Sequence, residues 1–211
     1  MSDWERWHSE YDDPDSRLSH RLAVVQRFLV AALDRRPPGP IKLLSLCAGE
    51  GRDVIGVLRD HPRRYDVQGV LIEADPRLAD RAGAAIAEAG LHGQLSVIAG
   101  DAGTTDTFAI AVPADIVMLC GIFGNITDDD VDYTVRNTSR LCSEGANVIW
   151  TRHPTPPDLT VWIRQWFAES GFLEAAFEAP EELNFGVGSH RLIAEPEAFA
   201  NGLRLFRFVD R

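Results

Sequence analysis

Ile41-Lys42-Leu43-Leu44-Ser45-Leu46-Cys47-Ala48-Gly49-Glu50-Gly51-Arg52-Asp53-Val54-Ile55 is an apolar run that breaks into small residues and then resumes as a helix. Ile41–Leu46 has the length of a strand, and its near-continuous apolarity marks one buried on both faces. Arg52–Asp60 reads as the helix that follows. Small residues between the two let the backbone turn sharply and approach a ligand closely, while the helix start presents unpaired N–H groups.

The same alternation spreads outward from this unit. Upstream, Arg35-Arg36-Pro37-Pro38-Gly39-Pro40 stops a helix and cannot continue one. Before that break, Leu18, Leu22, Val25, Leu29 and Leu33 recur at three- and four-residue spacing, which predicts an amphipathic helix capped by Asp15 or Ser16. Downstream, Val67–Ile72 is the next strand, followed by a helix over Pro76–Ala89 that opens on proline. Gln94–Ala99 and Asp115–Leu119 are further strands. Asp128–Leu141 is a helix that begins in three aspartates, favourable at the positive end of the helix dipole. Asn147–Trp150 is a strand, and Asp158–Ser170 a helix closed by Gly171. Phe172–Phe177 and Ser189–Ala194 are terminal strands, and Leu203–Val209 is a candidate for one more.

Helices alternating with buried strands imply an α/β fold: a doubly wound, mostly parallel sheet of seven strands with helices on both faces. The late strands, with no helix between them, predict an antiparallel hairpin at the sheet's C-terminal end. Residues 1–36 form an N-terminal helical cap or lid on one domain spanning 41–211. Ligands of such sheets bind at the carboxyl ends of the strands, near the switch in strand order.

Composition narrows the function. The chain of 211 residues is 45% hydrophobic and 25% charged, as in an ordinary globular protein. Its formal charge of −11, with no Lys/Arg run longer than two, disfavours nucleic acid as a partner. Arg35-Arg36 and Arg63-Arg64 read as solvated helix-end or loop charges. No apolar run reaches the roughly 18–20 residues of a membrane span, and the acidic start lacks the pattern of a signal peptide. Cys47, Cys120 and Cys142, an odd number without metal-ligand spacing, read as reduced thiols of a cytoplasmic protein. No metal site is expected. A monomer or a homodimer is equally compatible.

Three loops carry the chemistry. Beside the Cys47–Gly51 turn, strand Val67–Ile72 ends in Glu73-Ala74-Asp75-Pro76. A carboxylate there can accept both hydroxyls of a ribose. Asp75 is the better helix cap, which leaves Glu73 to face a ligand. The third loop, Gly100-Asp101-Ala102-Gly103, sets an acceptor where an adenine amino group can donate. A nicotinamide dinucleotide would also use Glu73, but it prefers a Gly-x-Gly-x-x-Gly turn, and Val54 breaks that pattern.

On these residues the sequence resembles the class I S-adenosylmethionine-dependent methyltransferases, from about Ile41 to Ala194. Leu43–Arg52 is similar to their glycine-rich first motif, Gly69–Pro76 to the acidic second, Gly100-Asp101-Ala102 to the adenine loop, and Asp115–Asn125 to the fourth-strand motif. Cys47 stands where the family most often has its first glycine, and Ser45 where an acid is common. The resemblance implies a Rossmann-like domain that uses S-adenosylmethionine and releases S-adenosylhomocysteine. It implies that Cys47, Ala48, Gly49 and Gly51 line the cofactor, that Glu73 and Ala74 meet the ribose, that Asp101 and Ala102 meet the adenine, and that Cys120 closes the site. Transfer to an oxygen or nitrogen of a small molecule, within specialised metabolism, is the implied reaction. A cofactor-binding module of the same fold without methyl transfer, or a reaction such as a cyclisation, would carry the same loops.

The acceptor side is read from the later loops. Cys120-Gly121-Ile122-Phe123-Gly124-Asn125-Ile126 lacks the Asn/Asp-Pro-Pro-aromatic signature of enzymes that methylate amino groups of nucleobases or glutamine. Its Phe123 and Asn125 are substrate candidates, Phe123 either against the ligand or filling the core. His153 is the candidate general base, since its ordinary pKa suits proton removal near neutral pH, and Arg152 can anchor an anionic substrate group. Trp4, Trp7, His8 and Tyr11 crowd the polar N-terminus as a lid, with Tyr11 a substrate contact, or else pack on the outer face. Trp162 and Trp166, four apart, are expected on the buried face of their helix. His190 and Arg191 read as structural.

Overall fold

In the computed structural model the described residues are residue 13 and residues 15–209; Tyr11 and the aromatic N-terminus lie outside them. Helix α1 (Arg17–Arg35) starts at Ser16, whose Oγ accepts the Ser19 N–H at 3.1 Å. Leu18, Val25, Leu29 and Leu33 form its buried stripe, and Leu22 is half-buried. The proline-rich break that follows leaves carbonyls without helical partners. Arg63 supplies them: its guanidinium donates to the carbonyls of Leu33, Arg36, Pro37 and Gly39. The expectation of a solvated charge at Arg63 is therefore corrected; five fixed donors suit a cluster of orphaned acceptors.

Strands β1 (Ile41–Leu46), β2 (Val67–Glu73), β3 (Leu95–Ala99), β4 (Ala114–Leu119), β5 (Cys142–Arg152), β6 (Phe172–Glu178) and β7 (Gly186–Leu192) form one sheet in the order β3-β2-β1-β4-β5-β7-β6. The first five are parallel, and β7 runs antiparallel to both β5 and β6. With α1, helices α2 (Arg52–Leu58) and α3 (Pro76–Glu88) cover one face, while α4 (Asp128–Asn137) and α5 (Thr160–Glu169) cover the other. Period-two alternation divides the strands between two cores. Leu43, Ile116 and Met118 face the α1 side, and Leu44, Val117 and Leu119 face the α4 side. The sheet is the doubly wound one expected, with its antiparallel pair at the end.

Three local expectations are overturned. The fifth strand runs through eleven residues from Cys142, well before Asn147. Leu203–Val209 is no strand. It makes only isolated bridges, Thr104 with Arg204 and Ile126 with Phe208, because β3 and β6 already hold the sheet edges and this segment crosses the loops at the strands' carboxyl ends. Trp162 is 53% exposed and Trp166 only partly buried, while Thr160, Ile163 and Phe167 form the inner face of α5. An i, i+4 spacing of large residues fixes a stripe on the helix, but which stripe turns inward depends on the neighbours.

The second core is centred on Trp150, fully buried among Phe123, Phe167, Phe177 and His190. Gly188 makes this possible, since a Cβ there would sit 2.3 Å from the indole. The indole Nε1–H donates to His190 Nδ1 at 3.1 Å, which requires the neutral ring. Burial pushes His190 down to about 4, with Glu174 opposing and Arg164 reinforcing the shift. An unfolded histidine near pH 6.5 therefore binds a proton that the native one refuses. Stability is expected to be level above about pH 7 and to fall between about pH 6.5 and 4, by up to about 1.4 kcal/mol per pH unit from this group. In urea melts across that range, His190→Gln should be less stable at neutral pH but show a shallower decline. A slope equal to wild type would refute the assignment.

Candidate cofactor site

β1 and β4 are parallel neighbours, yet the chain leaves β1 for α2 on one face and β4 for α4 on the other. The two loops diverge and open a crevice. A cavity of about 290 Å³ fills it. Cys47, Ala48 and Gly49 border it from the β1 loop, Glu73 and Ala74 from the end of β2, and Cys120 from the end of β4.

Glu73 is the centre of this arrangement. It is 9% exposed. Oε2 accepts the Gly49 N–H at 2.7 Å, and Oε1 accepts the Asp75 N–H at 2.9 Å. One carboxylate thus ties the β1 loop to the β2 loop. A carboxylate has about four acceptor positions, so two remain for hydroxyl donors from the cavity. Asp75 caps α3 through the Arg77 N–H at 2.8 Å.

The other expected cofactor residues stand apart. Gly51 does not border the cavity. It turns the chain with φ +70°, donates to the Ala48 carbonyl at 2.8 Å, and packs so closely on β2 that a Cβ would lie 2.7 Å from Leu71. Ala102 is buried in the core, and neither it nor Asp101 borders the cavity. Asp101 Oδ1 accepts the Gly103 N–H at 2.8 Å, and Oδ2 pairs with Arg204. Partial burial pushes the Asp101 carboxyl up, but these two partners together outweigh it and hold the group below its ordinary range.

On the acceptor side the loop after β4 is stapled to the end of β5. Of the two places open to Phe123, the core is the one it takes: it is wholly buried against Trp150 and does not border the cavity. Arg152, also buried, donates to the Phe123 carbonyl and lies 3.7 Å from Asp128. That makes it a fastener of this loop, and it does not border the cavity. Asn125 donates its Nδ2–H to the Gly121 carbonyl at 2.8 Å, closing the turn. His153 does not border the cavity; its ring packs on Gly124, where a Cβ would come within 3.0 Å of it.

Several bordering residues went unread. Arg21, Leu22 and Val25 come from α1, Asp53 from the first turn of α2, Leu78 from α3, and Phe208 from the C-terminal segment. In the sequence, Leu22 and Val25 belong to a core stripe and Asp53 to an acidic helix start, so neither pattern signals a ligand. Among the described residues Glu50, Asp53, Glu73 and Asp75 face the cavity against Arg21 and Arg52, and Glu50 is itself bonded to Arg52 at 2.8 Å and to Arg81 at 3.1 Å. Desolvation raises the Asp53 carboxyl against the Val54 N–H and the Arg21 charge. Burial, with Glu73 and Asp101 adding to it, raises the Cys47 thiol; burial, then Asp53, raises that of Cys120. Both stay protonated and poorly nucleophilic. Among the described residues no group of three or more His, Cys, Asp or Glu could hold a metal, and no helix is long and apolar enough to cross a membrane.

The family model described as "Putative methyltransferase" matches residues 17–170. This chain belongs to that methyltransferase family. The match also sets the dinucleotide reading aside. No curated protein matches the sequence significantly. Among solved structures, magnesium protoporphyrin IX methyltransferase (ChlM) from Synechocystis PCC 6803, with bound SAM, aligns with a TM-score of 0.68 at 11% identity, over 91% of this chain and 92% of that one. An RNA methyltransferase from Salinibacter ruber, in complex with S-adenosyl-L-homocysteine, aligns at 0.54 and 24% identity, over 85% and 97%. The [4+2]-cyclase SpnF aligns at 0.58 and 14%, over 79% and 81%. At these identities the likeness is one of fold.

Cys47 occupies the first small-residue position of the loop at φ +56°, in the left-handed region. That conformation costs a side-chain-bearing residue about 1–2 kcal/mol, which lost burial and greater unfolded-state freedom offset in a glycine variant. Cys47→Gly is therefore expected to change stability by less than about 1 kcal/mol, and Cys47→Val to destabilise by about 2 kcal/mol or more, since branched residues fit this region worst. Urea denaturation of the two variants checks the order; a valine variant as stable as wild type would contradict it.

Proposed function

We propose that this methyltransferase holds S-adenosylmethionine in the cavity between the β1 and β4 loops and methylates an oxygen or nitrogen of a small molecule. The observation that carries the reading is Glu73: a nearly buried carboxylate at the end of β2, bonded to the Gly49 amide and open to the cavity. Two acceptor positions beside a small-residue loop suit the two hydroxyls of a ribose. The excess of carboxylates around the cavity suits a ligand with cationic character.

S-adenosylmethionine supplies an electrophilic methyl group on a sulfonium. The chain's contribution is to hold and align. Glu73 fixes the ribose, the Cys47–Gly49 loop brings backbone against the amino-acid portion, and Arg21 sets a guanidinium on the α1 wall for a carboxylate. Much of the acceleration of such a transfer comes from holding acceptor and methyl in line. The candidate base is His153, packed on Gly124 in the loop whose Gly121 borders the cavity. A small acceptor fits the net charge of −11, which disfavours a polyanion.

Calorimetric titration with S-adenosylhomocysteine tests the cofactor. Wild type should bind, and Glu73→Ala should bind about 100-fold more weakly, the loss of two charge-assisted hydrogen bonds worth roughly 3 kcal/mol. Absence of binding at millimolar ligand, or an unchanged affinity in the variant, would sink the reading. With an acceptor found by panel screening, His153→Ala should lower kcat and leave S-adenosylhomocysteine affinity intact. An unchanged kcat would remove His153 from the mechanism.

A further inference from the structure

The segment 203–209 lies outside the family match, which ends at residue 170, and it behaves as a strap across the strand ends. Leu203 and Leu205 pair with the loop after β3: the Thr105 N–H donates to the Leu203 carbonyl at 3.0 Å and the Leu205 N–H to the Gly103 carbonyl at 2.8 Å. Arg204 pairs with Asp101. Further on, the Arg207 N–H donates to Asp130 at 3.0 Å and the Val209 N–H to the Asn125 carbonyl at 2.9 Å, beside the bridge between Ile126 and Phe208. The strap thus starts on the β3 loop and ends on the β4 loop, passing the ends of β2 and β1 that hold Glu73 and Cys47.

Its side chains divide the work. Leu205 and Phe206 are each 1% exposed and belong to the core. Gly103 lets them in: a Cβ there would lie 2.4 Å from the Phe206 carbonyl. Phe208 is different. It is 47% exposed, touches Phe206 edge-on at 5.7 Å, and borders the cavity. An aromatic ring left half in water at a cavity wall, on a segment already anchored by its neighbours, has unspent apolar surface directed at whatever fills that cavity. The same cavity is bordered by Ala74 and Leu78, on the chain just beyond Glu73. Glu73, Ala74, Leu78 and Phe208 thus share one cavity, where apolar surface stands beside the carboxylate suited to a ribose.

We propose that Phe208 is a cofactor-binding residue that packs its ring on the adenine, and that the C-terminal strap is a wall of the site. This rests on the cofactor reading above. Asp101, drawn into the Arg204 pair, then serves to seat the strap.

The full-length chain is titrated with S-adenosylhomocysteine and with 5′-methylthioadenosine, which keeps adenine and ribose but lacks the amino-acid portion. Phe208→Ala should weaken both about ten-fold, equivalent to about 1.4 kcal/mol, and Phe208→Trp should restore both, with circular-dichroism melts of the variants close to wild type. Wild-type affinity in Phe208→Ala, while Glu73→Ala loses binding, would overturn this proposal alone. Loss of S-adenosylhomocysteine affinity with methylthioadenosine unchanged would move the ring off the adenine and overturn it as stated. Failure of wild type to bind either ligand would overturn the cofactor reading and this one with it.

Discussion

Two parallel strands that send their following chains to opposite faces of a sheet cannot keep their loops together, and in this molecule β1 and β4 are that pair. Everything at the site follows from the gap. The α2 start and α1 close it on one side, the β4 loop on the other, and the chain must bridge it with interactions that are not sheet hydrogen bonds. Glu73 provides one such bridge, from the end of β2 to the Gly49 amide. The strap provides another, from Gly103 to Asn125. A carboxylate buried at this place is stabilised by the amides it accepts, and the same acceptance holds the small-residue loop in its left-handed conformations at Cys47, Gly49 and Gly51.

The loop after β4 is made rigid through its polar groups as well as through its buried Ile122, Phe123 and Ile126. Gly121 donates to Thr151 Oγ at 2.8 Å, Asn125 closes back on Gly121, and Arg152 reaches the Phe123 carbonyl. Residues that look like substrate ligands by chemistry are used here to satisfy backbone groups that no strand or helix pairs. Their side chains therefore shape the cavity at one remove. The surface that borders the cavity comes instead in part from α1, Asp53, Leu78 and Phe208, residues ordinary in their local context.

The fold was legible because its signals are local. Strand lengths, the proline-rich stop, the Ser16 and Asp75 caps and the small-residue turn each depend on residues within a few positions, and the five parallel strands fall close to where the apolar runs are. The place of Glu73 was legible for the same reason, since a strand that ends in an acid before a proline-opened helix leaves that acid at the sheet's carboxyl edge. Phe123 could not be assigned: a phenylalanine between two glycines suits a ligand and a core equally, and only the packing of Trp150 against it decides. Trp162 and Trp166 misled because amphipathic spacing names a stripe without saying what lies opposite.

The sequence by itself determined the doubly wound sheet, its helical layers, the antiparallel end and the place of Glu73, all of which rest on short-range periodicity and turn chemistry. Only the tertiary structure decided which loops share one cavity, that Arg63 seals the proline-rich break, that Arg152 and Asn125 face backbone, and that residues more than 130 positions from Glu73 return as a wall beside it. Those are long-range contacts. They depend on how the strands and helices pack together, and no window of local sequence contains both partners.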